Sequence, residues 1–427
     1  MSRLIIISNR LPFAIECSDE KLVVRQSSGG LVSAIKSYFE KQEAASGAYS
    51  DRIWIGSMEA SEEDWNKAKE SMPAGNDFTI IPIFPDKDVY NDYYNGFSNS
   101  TLWPLFHYFP SLIENKREYF TAYKKINELF AEKILEILEP NDVVWIHDYQ
   151  LMLLPLLLRQ QRPDATIGFF LHIPFPSYEL LRLMPTEWKR SILEGILGAD
   201  LVGFHTHEYV QHFIQSAKMI VKAESQFNVI QYKDRIIKTD LFPIGIDYQK
   251  FRDACIDETV VGLATNLEDK FYNQKLIFSV DRLDYTKGLN YRLDGYEQFL
   301  NDHPEWREKV VFILNVVPSR DAIQTYSERK SSIEEKVSTI NGKYSTIHWQ
   351  PLIYRYNHLT FEELCALYQV ADVALITPLR DGMNLVAKEY VASGIDKGVL
   401  VLSEFTGAAN ELSEALIVNP MDADEVA

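Results

Sequence analysis

Runs of four to eight apolar, β-branched residues recur along the chain between longer segments of helical spacing. Residues 4–7, 79–84, 143–146, 166–171 and 201–204 are short and continuously apolar, and they predict buried strands. Leu31, Ala34, Ile35, Tyr38 and Phe39 fall on one helical stripe, and residues 119–138 predict an amphipathic helix. Such alternation predicts βαβ units and a parallel sheet, hence an α/β fold. After Pro243-Ile244-Gly245-Ile246-Asp247 comes a polar stretch of helical character, residues 248–274. The alternation then restarts, with predicted strands at 276–280, 310–317, 372–377 and 399–403. A boundary between 245 and 270 gives a first domain over 1–250 and a second over 251–427. No internal repeat or low-complexity linker stands out. Two open α/β domains joined this closely predict a cleft between the carboxyl ends of both sheets. Ligands of such sheets bind just beyond the strand ends.

Composition agrees and narrows the function. The 427 residues suit two large domains, and 46% hydrophobic with 24% charged residues excludes a largely disordered chain. The net charge of 43 − 61 = −18 argues against non-specific nucleic-acid binding. An anionic ligand must therefore meet locally concentrated cations. Cys17, Cys255 and Cys365 form no CxxC and no zinc spacing, and three thiols cannot all pair, so reduced thiols in the cytoplasm are expected. The apolar stretch after Arg3 is too short for a signal peptide and lacks a cleavage site. Residues 151–158 are broken by Pro155 and too short to span a bilayer, so no membrane role is expected. The sequon Asn99-Ser100-Thr101 should be silent without secretion.

The strand ends carry the candidate chemistry. Arg10 follows the first strand, as an anion ligand or as a surface ion pair. Gly29 and Gly30 precede the helix expected near Leu31, where backbone N–H groups can approach a phosphate. Neither a P-loop nor a dinucleotide fingerprint follows, and an ordinary N-cap loop stays open as an alternative. Asp148 follows the third strand and His172 the fourth, a pairing that suits a polyol-binding rim. His205, His207 and His212 invite a metal reading, but His207 and His212 are five apart, and that spacing separates their rings around a helix. The carboxylates are read as lacking the Asp-x-Asp spacing by which a sugar-nucleotide enzyme usually holds a divalent metal, so no metal is expected.

In the second half, Asp281-Arg282-Leu283-Asp284-Tyr285-Thr286-Lys287-Gly288 follows a strand. Two cations at a helix start oppose its dipole unless an anion lies between them, which points to a bound phosphate. Arg320 follows the next strand. In Arg380-Asp381-Gly382-Met383-Asn384-Leu385-Val386, Gly382 predicts a sharp turn, and Asn384, Leu385 and Val386 open a helix with free N–H groups. Glu389 lies one turn further in. That pattern suits a diphosphate on the helix end and a ribose on Glu389, with Asp381 free for sugar hydroxyls.

Together these residues resemble the trehalose-6-phosphate synthases, retaining glycosyltransferases of family 20. The most specific pieces are Tyr93-Tyr94-Asn95-Gly96-Phe97-Ser98-Asn99, Leu102-Trp103-Pro104, Trp145-Ile146-His147-Asp148-Tyr149-Gln150-Leu151, Val280-Asp281-Arg282-Leu283-Asp284-Tyr285 and the Arg380–Val386 segment. The resemblance implies the GT-B fold, two Rossmann-like domains facing across a deep cleft. It implies transfer of glucose from UDP-glucose to glucose 6-phosphate, giving α,α-trehalose 6-phosphate and UDP. Arg10, Tyr94, Trp103 and Arg320 match ligands of the acceptor phosphate, and Asp148 matches an acceptor-sugar contact. Gly29 or Gly30 matches the loop at the donor diphosphate, and Arg282 and Lys287 match its clamps. His172 and Asp381 match donor-glucose contacts, Asn384, Leu385 and Val386 the helix end, and Glu389 the ribose ligand. No cofactor beyond the donor substrate is implied. Same-face attack with the leaving diphosphate taking the proton is implied, as is a homo-oligomer whose product a phosphatase consumes. The sequence departs from the family at Tyr178, His207-Glu208 and Ile353, the last near the expected uracil pocket. The chain is slightly short for the family, whose C-terminal crossover helices it would lack. A relative using another phosphorylated acceptor, or a non-catalytic regulatory subunit, stays open as an alternative.

Overall fold

The apolar runs assemble into two predominantly parallel sheets, one in each half of the chain. The computed structural model describes residues 2–18, 21–26, 32, 35, 39, 49–71, 78–318, 324–394 and 398–427. The chain divides into two compact units, Met1–Ile244 and Gly245–Ala427.

The first unit is built on β1 (Leu4–Arg10), β4 (Arg52–Ser57), β5 (Thr79–Ile83), β6 (Val143–His147), β7 (Thr166–Phe170), β8 (Leu201–Phe204) and β11 (Arg235–Leu241). These strands run parallel in the order β5-β4-β1-β6-β7-β8-β11, and β10 (Val229–Tyr232) and β9 (Glu224–Gln226) extend one edge antiparallel. A separate hairpin pairs β2 (Phe13–Ser18) with β3 (Lys21–Gln26). Ile5, Ile6 and Ile7 are wholly buried at the sheet centre, which explains why β1 is continuously apolar rather than alternating. The predicted long helix is Arg117–Leu135, and it buries Phe120, Tyr123, Ile126, Phe130 and Ile134 at helical spacing.

The second unit has one six-stranded parallel sheet in the order β14-β13-β12-β15-β16-β17. Its strands are β12 (Lys275–Arg282), β13 (Val310–Val317), β14 (Leu352–Tyr356), β15 (Val373–Ile376), β16 (Val399–Ser403) and β17 (Leu416–Val418). The polar stretch before it folds as two helices, Tyr248–Ala254 and Glu258–Lys270. Asp247 and Asp257 cap their N-termini through backbone N–H groups, the arrangement expected of Asp at that position. Because the strands of each sheet run parallel, their carboxyl ends line one rim. Arg10, His147, His172 and His205 therefore lie at or just beyond the rim of the first sheet, and Arg282 ends a strand at the rim of the second.

Candidate functional site

The first unit brings four strand-end residues together. Asp148 follows β6 with φ 77° and ψ 172°, a conformation that only glycine adopts without strain. Two contacts to the β7 end hold it. The Asp148 N–H donates to the Phe170 carbonyl at 2.7 Å, and Asp148 Oδ1 accepts from the His172 N–H at 3.1 Å. His147 Nδ1 lies 3.0 Å from His172 Nε2, and the His205 ring meets His172 edge-on with centroids 5.4 Å apart. Burial pushes the Asp148 carboxyl up to about 7 and the His147 imidazole down to about 3. Burial also holds His172 well below its ordinary value. At neutral pH this rim presents uncharged imidazoles and a carboxyl near its titration point, which suits hydroxyl groups better than anions.

The anion-binding candidates of this unit lie nearby in the chain's architecture. Arg10 ends β1, with Nη2 2.6 Å from Glu59 Oε1 and its guanidinium 4.8 Å from the Tyr94 ring centroid. That ion pair is exposed and contributes little by itself. Tyr94 stacks on Tyr90 with centroids 5.8 Å apart. Tyr94 belongs to Asp92–Leu102, an eleven-residue π-helical segment, and such helices are rare and concentrate at functional sites. Gly96 makes the segment possible, because a Cβ there would lie 2.6 Å from the Tyr119 ring. Trp103 follows directly and packs 4.0 Å from the His107 ring and 5.6 Å from Tyr149, the neighbour of Asp148 in the chain. The structure thus joins Arg10 to Tyr94, and Trp103 to the Asp148 turn. Gly29, Gly30 and Arg320 lie outside the described residues.

In the second unit the expected residues converge on the ends of the paired strands β12 and β15. Arg282 ends β12 exposed to solvent, with no ion-pair partner among the described residues. Lys287 sits in a single 3₁₀ turn, Tyr285–Lys287, and the helix starts only at Leu289, after Gly288 at φ 64°. The two cations therefore do not occupy a helix N-terminus, contrary to the spacing-based expectation. Glycine is needed at 288 because its backbone is left-handed and a Cβ would sit 3.1 Å from the Thr377 carbonyl. A buried ion pair welds this corner: Arg292 Nη1 donates to Asp281 Oδ2 at 2.7 Å, Nε to Thr377 Oγ1 at 3.0 Å and Nη2 to the Lys287 carbonyl at 3.2 Å.

Asp381 is not free, as the sequence pattern had suggested. Its Oδ2 lies 2.5 Å from Lys287 Nζ, and both side chains are less than a fifth exposed. Two opposite charges facing one partly buried corner pair with each other. Asn384 Nδ2 also donates to Asp381 Oδ2, at 3.1 Å, while its Oδ1 accepts the Ala387 N–H at 3.0 Å and caps the helix Leu385–Ser393. The N–H groups of Leu385 and Val386 then have no partner within the helix. Gly407 lets the loops meet, since a Cβ there would be 2.2 Å from the Gly382 carbonyl. Glu389, one turn along, accepts from Tyr368 OH at 3.0 Å, and burial raises its carboxyl.

The remaining candidates separate cleanly. His212 Nδ1 lies 3.1 Å from the Phe175 carbonyl and serves packing. Among the described residues no group of three His, Cys, Asp or Glu is placed to hold a metal. Contrary to the reading of the carboxylates, Asp-x-Asp spacing does occur, at Asp86/Asp88 and Asp422/Asp424, but in both the first aspartate caps a short helix. Tyr178 opens a short helix under the Arg182 guanidinium, and Ile353 lies half-buried in β14. Sequence reasoning passed over His147 as a partner of His172, Arg292 and Tyr368. The first was legible from adjacent strands ending in histidine; the other two sit inside ordinary helices and carry no local signal.

A family model described as glycosyltransferase family 20 matches residues 2–427. The chain is 45% identical to a bifunctional trehalose-6-phosphate synthase/phosphatase of Thermoproteus tenax, over 98% of this chain. It is 44% identical to an α,α-trehalose-phosphate synthase [UDP-forming] A of Dictyostelium discoideum, over 100% of this chain. The chain spans 57% of the length of each of these two relatives. A solved trehalose-6-phosphate protein from E. coli, bound with UDP-2-fluoro glucose, superposes with a TM-score of 0.87 at 35% identity, covering 100% of this chain and 89% of that one.

Proposed function

The chain belongs to glycosyltransferase family 20, and on that premise we propose that it transfers glucose from UDP-glucose to glucose 6-phosphate, releasing UDP and α,α-trehalose 6-phosphate. One observation carries the reading: Arg282, the Lys287–Asp381 pair, the Asn384-capped helix end and Glu389 all gather at the ends of two neighbouring strands. Cations, free N–H groups and a carboxylate in one corner match a diphosphate, its ribose and its sugar. The acceptor follows from mass balance. Relatives are named for trehalose phosphate, and removing the glucosyl group of UDP-glucose from that product leaves a glucose phosphate.

In this reading Arg282 and Lys287 neutralise the diphosphate, Leu385 and Val386 N–H groups hold it, Glu389 takes the ribose, and Gly29 and Gly30 are assigned to the diphosphate on the family resemblance alone. Asp381 turns to the glucose hydroxyls once the diphosphate competes for Lys287. His172 is assigned to the donor glucose on the family resemblance alone. Arg10, Tyr94, Trp103 and Arg320 hold the acceptor phosphate, and Asp148 an acceptor hydroxyl. The acceptor oxygen bonds to the glucosyl C1 as the C1–O bond to the β-phosphate breaks on the same face. The acceptor proton passes to the leaving diphosphate oxygen. The protein contributes position and charge stabilisation.

UDP release from UDP-glucose tests the reading. Glucose 6-phosphate is expected to support it, and glycerol 3-phosphate or an inositol phosphate is not. Faster release with either of these would replace the proposed acceptor. Turnover is also expected to survive EDTA at saturating substrate. Loss of the rate, restored by a divalent ion, would overturn the metal-free mechanism. Among the described residues no helix is long and apolar enough to cross a membrane. Cys255 and Cys365 are free thiols, which supports a cytoplasmic location. The fused phosphatase named in the Thermoproteus relative supports a phosphatase as consumer of the product, and a homo-oligomer is part of the same proposal.

A further inference from the structure

We propose that Tyr368 is a positioning residue of the nucleotide site, whose buried hydroxyl fixes the Glu389 carboxylate for the ribose and so sets the preference for ribonucleotides over deoxyribonucleotides. The proposal rests on the reading of Glu389 as the ribose ligand.

Tyr368 lies on the helix Phe361–Val370, and only 1% of it is exposed. Its ring is held edge-on from two other elements. The Phe278 ring of β12 is 5.8 Å away at 67°, and the Tyr390 ring of the helix Leu385–Ser393 is 6.2 Å away at 73°. A ring packed from two sides cannot swing, so its hydroxyl has a fixed position. A buried tyrosine hydroxyl needs a hydrogen-bond partner. A backbone carbonyl would serve folding equally well, yet the acceptor is Glu389 Oε2 at 3.0 Å.

The consequence lies in Glu389. Its second oxygen has no hydrogen-bond donor among the described residues, and the residue is only partly buried. An ionised carboxylate offers about four lone-pair sites. Tyr368 takes one and leaves the others available on a carboxylate whose Oε2 is tied to a fixed hydroxyl. Two adjacent ribose hydroxyls are the ligand chemistry that such a set fits. A glutamate on an unanchored stem would sample several rotamers and lose that freedom on binding; here the freedom is lost beforehand. Burial favours the neutral acid, while the Tyr368 hydrogen bond and the Lys250 charge favour the carboxylate. The tyrosine therefore keeps its partner both aimed and able to accept.

Calorimetric titration of UDP and 2′-deoxy-UDP into the full chain separates this from a purely structural role. Tyr368→Phe keeps the ring and its packing. It is expected to weaken UDP about tenfold, because the loosened Glu389 no longer meets both ribose hydroxyls at once, while 2′-deoxy-UDP, which keeps only the 3′-hydroxyl, weakens clearly less, by about threefold or below. Retained 2′-deoxy-UDP binding shows at the same time that the site is folded. Equal losses for both nucleotides, or no change in either, would overturn the proposal. Glu389→Gln tests the underlying reading separately. If it leaves the preference for UDP intact, Glu389 is not the ribose ligand and the inference falls with it. If it abolishes the preference while Tyr368→Phe does not, Glu389 stands and the role of Tyr368 alone is refuted.

Discussion

Arg282→Ala is expected to lower kcat/KM by about two to three orders of magnitude, with the melting temperature almost unchanged. The two halves of this expectation have separate structural causes. Arg282 is the last residue of β12, exposed, and without an ion-pair partner among the described residues, so its removal breaks no contact that the fold uses. The corner beside it is held instead by Arg292, wholly buried, on Asp281. An exposed guanidinium at the carboxyl end of a parallel strand, where ligands of such sheets bind, is placed to meet an anion. In transfer from a nucleoside diphosphate, negative charge on the leaving group grows at the transition state, so a donor lost there costs on the order of 2.7–4 kcal/mol of barrier. Steady-state kinetics with thermal melts on one preparation check both halves. Near-normal turnover would remove Arg282 from the mechanism. Collapse of the fold would mean that the residue has an unseen structural partner.

Arg282→Lys refines the same point. A lysine keeps the charge but loses the planar fork that meets two diphosphate oxygens at once. An intermediate rate is expected, well below wild type and above the alanine variant.

The parts of this protein that were legible in its sequence share a physical cause. Strands β1, β6, β7, β8, β13 and β16 are buried on both faces, so they appear as unbroken apolar runs, and their positions were read to within a few residues. Among the strands that escaped, β4 is buried, RIWIGS with its one charge at the first position, and its apolar run is cut short by Gly56; others have mixed faces. β10 and β11 alternate exposed and buried positions in a hairpin, with Val229 and Ile236 in solvent and Ile230 and Ile237 inside. β14 is rich in tyrosine and arginine, LIYRY, and was passed over for that reason. Site residues at strand ends were legible because a parallel sheet sends them all to one rim. What sequence could not show was how they satisfy each other. Asp381 looked available for a sugar and is paired with Lys287. Lys287 looked like the start of a helix and lies in a 3₁₀ turn before it. The motif around Tyr94 was recognised by its letters, and nothing in its apolar spacing announced a π-helix.

Asp148→Asn is expected to move stability and activity in opposite directions. The carboxyl is pushed up to about 7 by burial, against two backbone N–H groups that favour its charged form. An unfolded Asp titrates near ~3.9. Between those values the folded chain binds more protons at this position than the unfolded chain does. Stability from this group is therefore full below the unfolded value and declines as pH rises toward about 7. Asparagine does not titrate, so the variant should lose that slope and gain stability at pH 8. Screening by solvent at a partly open rim keeps the gain on the order of 1 kcal/mol, or about 2–4 °C in melting temperature. At φ 77° and ψ 172° asparagine is as strained as aspartate, so the backbone does not oppose the exchange, and its Oδ1 can still accept the His172 N–H. Yet wild-type Asp148 is strained, half-buried and partly charged at a strand end, three costs that the fold itself does not require. A carboxylate that must accept an acceptor-sugar hydroxyl explains all three, and losing its charge should lower kcat/KM for glucose 6-phosphate about 10- to 100-fold. Melts at pH 5 and pH 8, beside kinetics at pH 8, decide the matter. A variant less stable at pH 8 would refute burial as the cause of the raised value, and one with full activity would release Asp148 from the acceptor site.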